Sequence, residues 1–139
     1  MKKAIIVDID GTLALKGDRD IFDYSKVHLD KPNKPVITVI QALQNQTQYV
    51  LIIMSGRESS CRKDTADWLI KHDVLPDKIL MRNNGDHRKD AIVKKELYDT
   101  HIKGKFDVEM VFDDRKQVKK MWVDEGLFVF DVNQRDIIF

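Results

Sequence analysis

The stretch Ala4-Ile5-Ile6-Val7-Asp8-Ile9-Asp10-Gly11-Thr12 decides the fold. Its unbroken apolar run, rich in β-branched residues, reads as a strand over Ala4–Asp8 that is buried on both faces. Strands of that kind belong to parallel sheets covered by helices. The residues after it mark where the chain leaves the sheet, because Gly11 lets the backbone turn sharply and approach a ligand.

Working outward, the same alternation recurs. Tyr49–Met54, Lys78–Met81, Val108–Phe112 and Leu127–Val132 read as four more strands. Pro32-Asn33-Lys34-Pro35 opens a helix in which Val36, Val39, Ile40 and Leu43 fall at helical spacing. Proline is tolerated at such a start because the N–H it lacks has no helical partner there. Ser60–His72 reads as a helix with Ala66, Trp68, Leu69 and Ile70. Asp90–Ile102 carries Ile92, Val93, Leu97 and Tyr98, and Arg115–Glu125 carries Val118, Met121 and Trp122, with Gly126 as a stop. Gly11–Lys31 is polar and reads as a loop or small flap. Asn133–Phe139 has no clear assignment. The expectation is an α/β, three-layer Rossmann-like fold: a mainly parallel five-stranded sheet with helices on both faces, in one domain over residues 1–139.

Composition agrees. The 139 residues suit one domain, and 42% apolar content excludes disorder and low complexity as whole-chain readings. Lys+Arg 24 against Asp+Glu 23 does not suggest a polybasic binder. Lys2 and Lys3 begin as a signal peptide does, but Asp8 and Asp10 break the apolar stretch at once. No apolar run nears the ~18 residues a membrane span needs. A cytoplasmic location without membrane contact is expected. The lone Cys61 forbids an internal disulfide and reads as a passive thiol. His28, His72, His87 and His101 show no metal-ligand spacing.

In parallel sheets the ligand site lies beyond the carboxyl ends of the strands. Strand one ends in Asp8-Ile9-Asp10-Gly11-Thr12, strand two in Ser55-Gly56-Arg57, and strand four in Asp113-Asp114-Arg115. Residues i and i+2 of a strand share a face, so Asp8 and Asp10 would repel unless a cation joined them. Turn and cap preferences account for any one of these endings. All three together point to a metal and an oxyanion. The hard oxygen donors suit Mg²⁺ rather than zinc.

In that order, the Asp-x-Asp-Gly-Thr sequence, the strand-terminal Ser, a helix Lys and the Asp-Asp pair resemble the haloacid dehalogenase superfamily of phosphotransferases. The resemblance implies that Asp8 is the nucleophile and forms an aspartyl-phosphate. Asp10 would be the general acid and then the base, and Ser55 would hold a phosphoryl oxygen. Asp8, the main-chain carbonyl of Asp10, Asp113 and Asp114 would hold Mg²⁺. For the lysine, the segment Arg82–Lys94 offers Lys89 and Lys94; Lys94 lies four residues after Asp90 and pairs with it on one helix face, which favours Lys94. The gaps between these motifs leave no room for a substantial cap domain, and an uncapped site admits the end of a polymer.

A closer resemblance is to the 3′-phosphatase domain of phage-type polynucleotide kinase/phosphatases. It rests on Asp8–Ala14 with Arg19 and Tyr24; on Ser55-Gly56-Arg57-Glu58-Ser59; on Gly85-Asp86, Arg88-Lys89-Asp90 and Lys94; on Phe106-Asp107-Val108; and on Asp113-Asp114-Arg115 with Gln117-Val118 and Met121-Trp122. It implies that Arg19 and Arg57 contact the phosphate or nearby backbone, that Thr12, Gly56 and Arg88 also bind substrate, and that Asp90 supports Lys94. Guanidinium forks suit phosphate oxygens. It makes nucleic-acid 3′ ends the partner, DNA or RNA, and leaves the oligomeric state open, a dimer included. The chain has no Gly-x-x-x-x-Gly-Lys-Ser/Thr phosphate loop, so 5′-phosphorylation is not expected. With 8% aromatics a long stacking platform is not expected, only recognition of the terminal phosphate and one or two nucleotides. Two other readings fit the same residues: a capless phosphatase for a small sugar phosphate or nucleotide, and a non-catalytic module that binds nucleic-acid ends.

Overall fold

A computed structural model describes residues 1–134; residues 135–139, most of the unassigned tail, lie outside the description. The chain runs through β1 (Lys2–Val7), β2 (Ala14–Leu15), a 3₁₀ turn (Tyr24–Leu29), β3 (Lys31–Pro32) and α1 (Lys34–Gln44). β4 (Tyr49–Glu58), a short 3₁₀ turn (Ser59–Cys61), α2 (Arg62–Lys71) and β5 (Lys78–Arg82) follow. α3 (Asp90–His101), β6 (Phe106–Asp113), α4 (Lys116–Asp124) and β7 (Val129–Asp131) complete it. The main sheet has the order β5-β4-β1-β6-β7, and every pairing in it is parallel. The expected three-layer architecture is the observed one. β1 lies at the centre, where strand order changes direction, and its carboxyl end faces the crevice.

The alternation of side chains along the strands builds two cores. Ile5 and Val7 of β1, with Leu51 and Ile53 of β4, face α1 and α2, where Ile37, Ile40, Trp68 and Leu69 meet them. Ala4 and Ile6, with Ile52 and Met54, face α3 and α4, where Tyr98, Ile102, Val118 and Trp122 close the layer. Period-two strands buried on both faces need this double cover. Trp122 is fully buried, with its ring edge-on to Tyr98 at 5.5 Å. Cys61 is buried with Val27 and Met81, and burial raises its thiol pKa, as suits a passive residue.

Several helix faces differ from the sequence reading. In α1 the buried stripe is centred on Ile37 and Ile40, flanked by Val36 and Leu43, and Val39 lies past its margin and is exposed. Ile70 in α2 and Ile92 in α3 are also exposed. In α3 the inward stripe is Asp90, Val93, Lys94 and Tyr98, because its first turns cover a charged site rather than an apolar core. Strand β4 also runs further than the apolar residues suggest, through Ser55-Gly56-Arg57 to Glu58, with its register against β5 broken between Ser55 and Glu58.

The segment read as a loop or flap is a flap: β2 and β3 form an antiparallel two-stranded sheet, Ala14 opposite Pro32, with the 3₁₀ turn between them. No other described segment is long enough to act as a cap. No helix among the described residues is long and apolar enough to cross a membrane. Trp122→Ala is expected to cost about 3–5 kcal/mol in urea unfolding; a loss below about 1 kcal/mol would contradict its place at the centre of that layer.

Candidate active site

The polar groups that end β1, β4 and β6 meet at the carboxyl edge of the sheet. Asp8 follows β1 directly, and its amide donates to the Phe112 carbonyl at 3.0 Å, which ties its position to β6. Thr12 donates its hydroxyl to Asp8 Oδ2 at 3.0 Å. Lys94, from the second turn of α3, donates to Asp8 Oδ1 at 2.8 Å and to Asp113 Oδ2 at 3.1 Å. Its ammonium also lies 3.7 Å from Asp90 Oδ2. The other oxygen of Asp113 accepts the backbone N–H groups of Asp114 and Arg115.

Burial and charge set the protonation of this group. Burial disfavours the charge on Lys94, but Asp113, Asp8 and Asp90 outweigh it and hold its pKa well above the usual lysine range. Asp8 is pushed well above the usual carboxylate range, by burial first and by Asp113 and Asp114 next, against the pull of Lys94. Asp114 is raised to about 6, again chiefly by burial. Burial also works against the charge on Asp90, yet Lys94, Arg115 and Arg82 together lower its pKa.

Asp8, Asp113 and Asp114 each offer an oxygen to one point, with these atoms all within 4.8 Å of one another. Fully ionised, these three carboxylates against one Lys94 ammonium leave two negative charges. A divalent cation with hard oxygen ligands fits that residue set. The Asp10 side chain is not in the cluster. It is held instead by Arg57, whose Nε donates to Oδ2 at 3.0 Å and whose Nη2 donates to Oδ1 at 2.8 Å, and by Arg19 Nη2 at 3.1 Å. Behind both guanidinium groups sits buried Asp30, 2.7 Å from Arg19 Nε and 3.0 Å from Arg57 Nη2. Arg19 and Arg57 thus hold the Asp10 and Asp30 carboxyl groups together.

A cavity of about 590 Å³ opens above these groups. Of the residues picked from the sequence, Asp8, Asp10, Gly56, Arg57, Arg88, Asp90 and Asp114 line it. Thr12, Arg19, Ser55, Lys94 and Asp113 lie one layer beneath, all buried. Ser55 Oγ accepts the Arg57 N–H at 3.1 Å. Arg19 is not presented to the cavity: its donors go to Asp10, Asp30 and the Asp20 and Ile21 carbonyls. Arg88, half exposed, pairs with Asp86 and Glu96, while Lys89 stays at the cavity rim. Two glycines permit the closeness. A Cβ on Gly11, where φ is +82°, would collide with Asp114 Oδ2, and one on Gly56 would collide with Asp90 Oδ1.

The sequence reading missed Asp30 and Arg82. Arg82 ends β5 and donates to the Gly56 carbonyl at 2.6 Å and to Asp90 Oδ1 at 3.2 Å. The strand-end rule, applied to β5 as it was to the other strands, finds it. Asp30 lies inside the flap, and no local sequence signal marks it.

This fold and these strand-end acids define a domain of the haloacid dehalogenase type. Residues 2–137 match the family described as "Polynucleotide kinase PNKP phosphatase domain", and the chain belongs to that family. It is similar to a "Putative bifunctional polynucleotide kinase/RNA ligase" of Autographa californica nuclear polyhedrosis virus, 37% identical over 124 residues, covering 88% of this chain and 18% of that protein. It superposes with TM-score 0.93 and 43% identity on a chain of a Pnkp1/Rnl/Hen1 complex, covering 99% of this chain and 48% of that one. A haloacid dehalogenase-like hydrolase, SP0104 from Streptococcus pneumoniae, shares the fold at TM-score 0.63 and 16% identity, over 92% of this chain and 83% of that one. The chain therefore spans less than half the length of the viral relative and of the Pnkp1/Rnl/Hen1 chain.

The raised carboxylates give a pH signature. A carboxyl whose folded pKa is raised contributes stability that is fully present below its unfolded pKa and is lost as pH rises through its folded pKa, here about 6 for Asp114. A divalent cation reverses that loss, but must displace the proton below pH 6. The rise in Tm caused by Mg²⁺ is therefore expected to be larger at pH 8 than at pH 5, with each 1 kcal/mol of ion binding giving about 3–5 °C. Thermal melts with and without Mg²⁺ at the two pH values measure it, and an equal shift at both would contradict the cluster as the binding site.

Proposed function

We propose that the protein is a Mg²⁺-dependent phosphomonoesterase that removes 3′-phosphates from nucleic-acid ends through an aspartyl-phosphate. One observation carries the chemistry: a buried carboxylate, Asp8, faces an open cavity while Lys94 donates to it from beneath at 2.8 Å. An Asp8 oxygen attacks phosphorus, and the bond from phosphorus to the ester oxygen breaks. Asp10, with 34% of its side chain exposed beside Asp8 in the cavity, gives the leaving 3′ oxygen its proton. Arg57 and Arg19 fix where that carboxyl points. Asp10 then takes a proton from water, the water oxygen attacks the phosphorus of the acyl-phosphate, and inorganic phosphate leaves with Asp8 restored.

Lys94 offsets the negative charge gathered around the phosphoryl group, a role that suits an ammonium held in its charged form by three carboxylates. Asp8, Asp113 and Asp114 would hold the Mg²⁺, with the Asp10 main-chain carbonyl as a further ligand. When bound, it supplies the positive charge that lets a carboxylate approach a phosphate dianion. Ser55 would hold a phosphoryl oxygen once its hydroxyl turns toward the cavity.

Membership of the polynucleotide kinase phosphatase family supports a nucleic-acid end as the substrate, as does the absence of a cap over the cavity among the described residues. Arg88 and Lys89 at the rim suit the phosphates of a strand. The relatives are described as a polynucleotide kinase/RNA ligase and as an RNA repair complex, which favours RNA ends and partners in end repair. These 139 residues contain no phosphate loop of the nucleotide-kinase kind, and the reading assigns them phosphatase chemistry alone.

The test is Mg²⁺-dependent phosphate release from matched oligonucleotides bearing a 3′- or a 5′-phosphate, with a small aryl phosphate beside them. Strong preference for the 3′-phosphate is expected. Asp8→Asn is expected to lower release by at least about 10³-fold with an unchanged circular dichroism spectrum, since the nucleophile goes and the shape stays. Equal, weak release from all three substrates would contradict the nucleic-acid reading, and full activity in Asp8→Asn would contradict the chemistry.

A further inference from the structure

Phe22, on the flap, is 76% exposed, and beside it Ile21 is 49% exposed. Both line the catalytic cavity with Tyr24. Phe22 belongs to none of the three apolar clusters, and among the described residues no aromatic ring contacts it. Its backbone is nonetheless fixed. The Phe22 N–H donates to Asp20 Oδ1 at 2.9 Å, and the Asp23 N–H donates to the Asp20 carbonyl at 3.0 Å. Buried Arg19 donates to the carbonyls of Asp20 and Ile21 at 3.2 and 3.3 Å. The same guanidinium reaches Asp10, so the flap tip and the catalytic carboxyl share one anchor.

A large apolar ring held out over a charged cavity needs an occupant. We propose that Phe22 receives the base of the nucleotide that carries the terminal phosphate, stacking on it while the phosphate lies on Asp8. The proposal rests on the nucleic-acid reading above and assigns a base subsite to it. The lining of the cavity is split by chemistry in the way a strand end is. The flap supplies Ile21, Phe22 and Tyr24; the loop after β5 supplies His87, Arg88 and Lys89. A planar base suits the first, and the next internucleotide phosphate suits the second. Phe22 is the exposed ring of the two, Tyr24 being partly buried against Val27, Cys61 and Met81, so the grip is confined to the terminal nucleotide. Every base has a π-face, so stacking alone leaves recognition tolerant of sequence, as an end-processing enzyme requires.

The test compares two 3′-phosphorylated oligonucleotides, identical except that one lacks the base on its terminal nucleotide, with methyl phosphate as a third substrate. Steady-state KM and kcat are measured for the wild type, Phe22→Ala and Phe22→Trp. In the wild type the abasic end is expected to have a KM roughly 10-fold above the base-bearing end. In Phe22→Ala that ratio falls to about 1, through a raised KM on the base-bearing end, and Phe22→Trp restores it. A wild-type ratio near 1, or a ratio that survives in Phe22→Ala, overturns the base subsite while leaving the 3′-phosphatase reading intact. An equal KM rise on both ends in Phe22→Ala also overturns it, and points to Phe22 as flap structure or as a protein contact. Release from methyl phosphate but from neither oligonucleotide overturns the nucleic-acid reading and this inference together.

Discussion

The Lys94 ammonium, 1% exposed, joins three elements at one point: Asp8 after β1, Asp113 at the end of β6 and Asp90 at the start of α3. A buried charge is tolerable only when it is paired and hydrogen-bonded, and each carboxylate here is costly without the amine. The central crossing of the sheet and the docking of α3 therefore depend on the same contact that holds Asp8 in place. Around it the charges fall into two sets. Asp10 and Asp30 are held by Arg19 and Arg57. Asp8, Asp113 and Asp114 exceed Lys94 by two. The first set holds a carboxyl in place, and the second leaves a site for a cation.

The fold was legible because β1 and β4 are apolar on both faces, and only a parallel sheet under two helix layers buries such strands. The site was legible because polar residues at strand ends follow a positional rule, which brought Asp8, Ser55, Arg57 and Asp113 to one edge without knowledge of any contact. Lys94 could be favoured over Lys89 because it lies one turn after Asp90 and takes its place in a stripe with Val93 and Tyr98. What the sequence hid was long-range pairing. Asp30 reaches Arg19 and Arg57 only because the flap folds back through β2 and β3, and nothing within a few residues of Asp30 signals that return. Val39, Ile70 and Ile92 failed as core residues for a related reason: periodicity finds a stripe but not its centre, which the neighbouring layer sets.

The same contrast divides the roles of the arginines. Resemblance placed Arg19 and Arg57 on the phosphate or nearby backbone, and the geometry places donors of both on Asp10 and Asp30. Arg57 still borders the cavity, but Arg19 does not. Arg19 holds the Asp10 carboxyl on one side and the flap backbone on the other. Arg82 likewise holds the Gly56 carbonyl and the Asp90 carboxyl. The cavity is thus bounded by a rigid polar floor, a flap with an exposed ring, and a basic loop.

The central claim is that Asp8 takes the phosphoryl group. Its most direct test is to mix the protein and Mg²⁺ with an oligonucleotide carrying a radiolabelled 3′-phosphate, quench in acid within the first turnover, and map the label by peptide mass spectrometry. The account predicts a hydroxylamine-labile phosphoryl group on Asp8, absent in Asp8→Asn. Turnover without any labelled protein, or label on another residue, would contradict it.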